Sequence, residues 1–340
     1  MTEFEVWQNL RALESFDNVK IWFNRIHHKD LNSRRTNEII CAARQAREYF
    51  KNAKQADYSV RSLLTFYGIA SLSRATALLL RKNSGEEALN KGHGLEVSNW
   101  SEILSGEIST ALSNLEKLQV KTCKGLFYDF LLSINNTTYM HTNGSNVNWS
   151  IPYLIPELEM SISLEDLLSR IPDLKNDAST LPDGFKGVVI NDIAYTQQDG
   201  FKVKNLLNPP QSLLNAYQSK GYVIKETSKG TFSFEGTADL FNKDTPLFLH
   251  SYIHKMFGSI PYLYIVEPLK CGSNYCELCI CYLLSYFMGM LSRYYPTHWV
   301  SLINGGNGDR LWPIINRAQN YVEIVFPELI IELIQERLKD

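Results

Sequence analysis

Arg293 and His298 stand with four residues between them, Arg-Tyr-Tyr-Pro-Thr-His, at the end of an apolar run. These are residue types that metal-independent cleavage of RNA needs. The ribose 2′-hydroxyl must lose a proton and the 5′-oxygen must gain one. An imidazole, with its ordinary pKa of about 6.5, can serve either transfer. The phosphorane formed on the way carries extra negative charge, which a guanidinium meets with a fork of donors. Arg293 is therefore expected to stabilise charge and His298 to move protons. A plainer reading uses the same two residues. Arg293 would cap the last carbonyls of its helix, where a cation is favoured, and His298 would pack beside Trp299.

Such a substrate is an anion, and the charge distribution offers it a place. The 340 residues carry a formal net charge of −2, with 34 Lys and Arg against 36 Asp and Glu. Residues 20–82 hold 13 of those cations and only 4 of the acids, leaving 21 against 32 elsewhere. This asymmetry points to RNA or another anionic partner for the N-terminal region. Within it, apolar residues at helical spacing predict a helix over 36–56 with Thr36 as its N-cap. Arg44, Arg47, Lys51 and Lys54 fall on a neighbouring stripe, within about one quarter of the circumference. That stripe is either a phosphate-contacting face or a solvated one. A second helix, over 59–82, is apolar nearly all round and belongs in the middle of a bundle. Arg74 interrupts it. A charge there must be paired, snorkel to solvent, or line a cleft that takes the anion, because burying it alone is costly.

Other chemistries find little footing. Cys271, Cys276, Cys279 and Cys281 cluster, but they do not form a second CxxC, and no His follows at finger spacing. Cys276 and Cys279 read as buried thiols one helical turn apart. His250 and His254 have helical metal spacing without a zincin glutamate. Gly305-Gly306-Asn307-Gly308-Asp309 lacks the Lys-Ser/Thr of a P-loop. No metal and no cofactor is expected. His27 and His28 lie in the basic stretch. His93 lies between Gly92 and Gly94, ordered for a reason the spacing does not give.

The elements that must position these residues are mostly helical. A helix is expected over 101–119, a surface loop over 135–150, and a short helix over 161–172. The pattern then turns β-prone at 187–196, 201–206, 221–227 and 231–235, with turns at 197–200 and 228–230 and another strand at 262–266. Helix returns over 273–293 and stops at Pro296. Two further helices, broken at Pro327, fill 312–338. The fold class expected is mainly α with a small antiparallel β insertion (α+β). The division expected is an N-terminal helical region over 1–180, a β-rich insertion over 181–270, and C-terminal helices over 271–340 that complete the bundle. The run at 278–291 is too short for a membrane span, and the N-terminus lacks a secretory h-region. The expected setting is the cytoplasm, away from membrane.

Three stretches carry a family resemblance: AARQAREYFKNAKQADYSVRSLLTFYGIASLSRA at 42–75, Gly92-His93-Gly94-Leu95, and YLLSYFMGMLSRYYPTHW at 282–299 with FPELII at 326–331. Together they resemble the YaaC-like family, which implies a bacterial cytoplasmic protein and supplies no activity. The first stretch also resembles the opening helix pair of HEPN domains. These are small helical bundles, many of them metal-independent ribonucleases in defence and toxin systems, with an Arg-x4–6-His motif on a late helix. That likeness implies a HEPN-like helical bundle, with Arg293 and His298 converging at a homodimer interface. The family pattern puts a polar residue after the arginine, and here it is Tyr294. The function expected is a HEPN-like, metal-independent ribonuclease or RNA-binding effector in phage defence. The competing expectation is a non-catalytic interaction subunit that binds a partner protein.

Overall fold

The computed structural model describes residues 2–140, 149–190, 192–198, 200–248 and 263–339. The contacts divide the chain into two compact units. The first combines 1–136, 157–164 and 278–340, and the second combines 137–156 and 165–277. The β-rich unit thus begins well before residue 181.

Helix α1 (Glu3–Leu10) opens on a capping box: Thr2 Oγ1 accepts from Glu5 N–H, and the Glu5 carboxylate accepts from Thr2 N–H. Helix α2 (Phe16–His27) ends at His28 in the left-handed region. Then come two 23-residue helices, α3 (Ser33–Gln55) and α4 (Tyr58–Leu80). Asn32, not Thr36, caps α3. Its side chain accepts from Arg35 N–H at 2.9 Å, while buried Thr36 donates back to the Asn32 carbonyl. Helices α3 and α4 pack so closely that a Cβ at Gly68 would lie 2.8 Å from the Phe50 ring. Helix α4 is buried on nearly every side, as its all-round apolar pattern requires. By length and composition it could cross a bilayer, yet 72% of its apolar window is buried inside the structure.

After α4, strand β1 (Leu95–Val97) pairs antiparallel with β2 (Gln119–Thr122). The single helix expected over 101–119 is absent. In its place stand α5 (Trp100–Leu104), α6 (Ile108–Leu112), a 3-10 turn and the start of β2. Gly106 separates the two short helices, a residue that costs an unsupported helix about 1 kcal/mol relative to alanine. Helix α7 (Leu126–Ser133) follows.

The stretch expected to be a loop over 135–150 instead contains a strand, β3 (Thr137–Met140), paired with β4 (Trp149–Pro152). Strand β5 (Ser161–Ser163) returns to β2, giving the order β1-β2-β5, and runs into helix α8 (Leu164–Leu168). The rest of the second unit holds β6 (Gly187–Ile190), β7 (Asp192–Thr196), β8 (Gly200–Leu207), helix α9 (Gln211–Ser219), β9 (Val223–Ser228), β10 (Thr231–Gly236), helix α10 (Ala238–Phe248) and β11 (Leu263–Val266). Four strands form an antiparallel sheet in the order β7-β8-β10-β9, and β11 pairs with β6. Buried Arg170 ties this unit together, bonding the Asp166 carboxylate and the Glu267 and Pro268 carbonyls.

The first unit is completed by α11 (Glu277–Tyr294), α12 (Pro296–Ile303) and α13 (Trp312–Arg337). Pro296 both ends α11 and occupies the first turn of α12, where its missing N–H costs nothing. Pro327 does not break α13. It deletes one bond, to the Glu323 carbonyl, while buried Val325, Phe326, Leu329 and Ile330 hold both halves in the core. Helix α13 meets α4 through a buried polar knot. Glu323 receives Arg61 Nε at 3.0 Å, Thr65 Oγ1 at 2.6 Å and Gln319 Nε2 at 2.6 Å. Arg61 also bonds Asn320 and lies over the Tyr58 ring. Removing one partner of such a pair strands the other charge. Glu323→Ala is expected to lower stability by about 3–5 kcal/mol, read as a lower urea midpoint, whereas a change under ~1 kcal/mol would show that Arg61 escapes to solvent.

Candidate functional site

The half-exposed edge of α4 carries Tyr67 and Arg74, two turns apart on one stripe. The C-terminal end of α11 brings Arg293 to that edge. Its Nη1 donates to Tyr67 Oη at 2.6 Å, and its guanidinium also lies 5.0 Å from the Tyr294 ring centroid. Arg293 thus reaches across to α4 instead of turning back onto the α11 carbonyls. The Tyr67 ring stacks on Tyr49 of α3, with centroids 5.6 Å apart. Close packing makes this reach possible: a Cβ at Gly289 would sit 2.8 Å from Phe66 Cβ, so only glycine lets α11 approach α4 here.

The third member is His93. Its backbone is held from three sides. The Gly92 carbonyl accepts from Leu126 N–H and the His93 carbonyl from Phe127 N–H, using two of the donors that the first turn of α7 leaves unpaired. Gly94 accepts from Cys123 N–H, and Tyr282 Oη donates to the His93 carbonyl at 3.2 Å. Gly94 has φ +81° and lies against Gly125, where a Cβ would meet Gly94 N at 2.3 Å. The Gly-His-Gly sequence is therefore a backbone clamp. The imidazole it presents packs edge-on to Phe66 at 5.0 Å and near Tyr67 and Tyr286. Among the described residues neither ring nitrogen has a hydrogen-bond partner. Burial, and then the Arg293 charge, push the His93 pKa down. At neutral pH the ring is uncharged and able to accept a proton.

Arg74 pairs loosely with Glu86 at 3.6 Å, and its charge is felt by Tyr282. Burial drives the Tyr282 phenol well above its usual range.

His298 has different partners from Arg293. It bonds the Leu104 main chain and lies against Tyr295, while buried Trp299 donates instead to the Tyr58 carbonyl. Burial lowers the His298 pKa, and its Nε2 is enclosed without a partner among the described residues. Spacing in sequence selected Arg293 and His298, but the structure sets His93 beside Arg293. Of the α3 stripe, Arg44 and Arg47 both turn to Glu14, at 3.7 and 2.7 Å, Arg47 also meets Glu48, and Lys54 pairs with Glu3. Lys51 has no ion pair among the described residues. Cys276, Cys279 and Cys281 are buried. His250 and His254 lie outside the described residues.

Tyr67 and Tyr49 escaped sequence reasoning because tyrosine at core spacing reads as packing. The two glycines flanking His93 were the available signal for the third member. Together these features define a mainly helical α+β protein that presents a cationic, aromatic-walled patch around an uncharged histidine. A family model for YaaC-like proteins matches residues 13–334, and the chain belongs to that family. Comparison with curated proteins and with solved structures finds no match.

Two measurements follow from the geometry. Arg293→Ala removes the cation that disfavours the imidazolium, so the His93 pKa should rise, read from its ring protons by NMR titration. An unchanged titration would place Arg293 too far away to matter. His27, bonded to the Leu79 carbonyl, is also lowered by burial, as are His93 and His298. The unfolded chain then binds more protons than the folded one. Histidine-linked stability is complete above the unfolded pKa of about 6.5 and is lost as pH falls through that value toward the lower folded ones. The urea midpoint should drop from pH 7.5 to pH 5.5, and His93→Gln should shrink that drop. An equal drop in the variant would remove His93 from the account.

Proposed function

We propose that the protein is a HEPN-like, metal-independent endoribonuclease whose reacting groups gather around Arg293. The observation that carries this reading is the Arg293–Tyr67 hydrogen bond beside the uncharged His93. The likeness of residues 42–75 to a HEPN helix pair supports it. So does Arg74, a second guanidinium on the same edge of α4.

In this reading a single-stranded RNA lays a phosphodiester between Arg293 and Arg74. His93 takes the proton of the 2′-hydroxyl, and the 2′-oxygen attacks phosphorus. The bond to the 5′-oxygen breaks, and that oxygen takes a proton from the Tyr67 hydroxyl. The products are a 2′,3′-cyclic phosphate and a 5′-hydroxyl. The imidazolium of His93 then returns a proton to the Tyr67 oxygen through water, so atoms and charge balance without metal or redox partner. Arg293 holds the extra negative charge of the phosphorane. His298 is the histidine selected by spacing, and its own substitution decides between the two.

Purified protein incubated with labelled single-stranded RNA, with and without EDTA, tests the assignment. Cleavage should ignore EDTA and leave cyclic-phosphate ends. Arg293→Ala and His93→Gln should each slow it by at least about 100-fold, with His298→Gln closer to wild type. Absence of cleavage by the wild-type protein, or full cleavage by Arg293→Ala, ends this reading. Loss confined to His298→Gln returns the proton transfer to His298.

A further inference from the structure

A second concave site lies on the other side of α3, between α1 and α13, and has a volume of about 230 Å³. Its aromatic wall is Trp7 against Phe50, with ring centroids 5.2 Å apart. Phe50 is fully packed from behind, whereas Trp7 is half-exposed, so the indole is the face offered to a ligand.

The charges around the cleft do not cancel. Glu323 is spent on Arg61, Glu3 on Lys54, and Arg47 on Glu14. Arg11 and Lys51 remain, both exposed at the cleft, and neither side chain has an ion pair or hydrogen bond among the described residues. Two unspent cations beside an open aromatic face select a ligand that is flat at one end and anionic at the other. The volume lies just under the roughly 300 Å³ at which small-molecule sites begin. It admits one ring system and leaves the anion at the rim, where the cations are.

We infer that the cleft between α1, α3 and α13 binds a nucleotide, with the base against Trp7 and the phosphate on Arg11 and Lys51. The site shares no residue with the Arg293 cluster and does not rest on the ribonuclease reading. The nucleotide is either a free mononucleotide or the terminal nucleotide of a strand.

Calorimetric titration of the full-length protein with AMP, UMP, adenosine and inorganic phosphate tests this, beside a 5′-phosphorylated hexaribonucleotide and its unphosphorylated form. AMP or the phosphorylated hexamer should bind, and adenosine and phosphate should each bind at least about 10-fold more weakly, since each offers half of the ligand. Binding of AMP makes the source a free nucleotide; binding of the phosphorylated hexamer alone makes it a strand end. Lys51→Ala, Arg11→Ala and Trp7→Leu should each weaken binding by about 10-fold or more, with circular dichroism confirming the fold. Arg25→Ala, an equal loss of charge elsewhere, should leave binding unchanged. No binding of AMP, UMP or either hexamer at millimolar concentration overturns the inference. So does binding that Lys51→Ala and Arg11→Ala leave intact, or that Arg25→Ala weakens equally.

Discussion

The first unit depends on burying α4 on nearly all of its surface. A helix in that position hides most of its polar groups from water, where one without a partner in the protein is costly. Arg61 and Thr65 meet this demand by converging on Glu323 of α13. Thr76 satisfies its hydroxyl on the Leu72 carbonyl one turn back. Beyond its exposed first turn, the edge bearing Tyr67 and Arg74 is half-open, and it is there that the loop at His93 and the end of α11 arrive. The candidate site is in this sense the residue of a packing problem. Where α4 is not covered by apolar side chains, polar and aromatic ones are grouped.

The two ends of the site are held by different means. Arg293 reaches Tyr67 because Gly289 lets α11 settle against Phe66. His93 is placed by main-chain bonds, through donors at the start of α7 that any helix would leave unpaired. A side chain fixed through its own backbone keeps its ring nitrogens uncommitted, and the surrounding aromatic rings withhold the water that would stabilise an imidazolium. Both effects keep the imidazole in its uncharged form.

Much of this architecture was legible in the residues. The 3.6-residue period placed α3 and α4 within a few positions of their ends, and the all-apolar circumference of α4 told of its burial. The alternation over 201–235 gave the strands β8, β9 and β10. Errors arose where one residue outweighed a pattern or failed to. Gly106 split what periodicity read as one helix. Pro327 failed to split another, because the core on both sides of it compensates for one lost bond. Helix α9, with buried Leu213, Leu214 and Tyr217, was hidden between two β-prone runs. The site was read in part. Spacing along the chain identified Arg293, but adjacency across the fold paired it with Tyr67 and set it beside His93, some 200 positions upstream. No local pattern encodes a contact at that separation.

The first unit is assembled from segments that are far apart in the chain, and this has a consequence for biosynthesis. Residues 278–340, which supply α11, α12 and α13, emerge from the ribosome only after the entire second unit has been made. At about 5–20 residues per second, roughly 10–40 s separate the appearance of α4 from that of its cover. During that interval the helix hairpin of α3 and α4 carries an uncovered apolar flank, a natural target for chaperones that hold nascent chains. A ribosome stalled in the second unit would release a product whose long apolar helix α4 has nowhere to go, so premature termination yields a substrate for proteolysis and no partial form of the site.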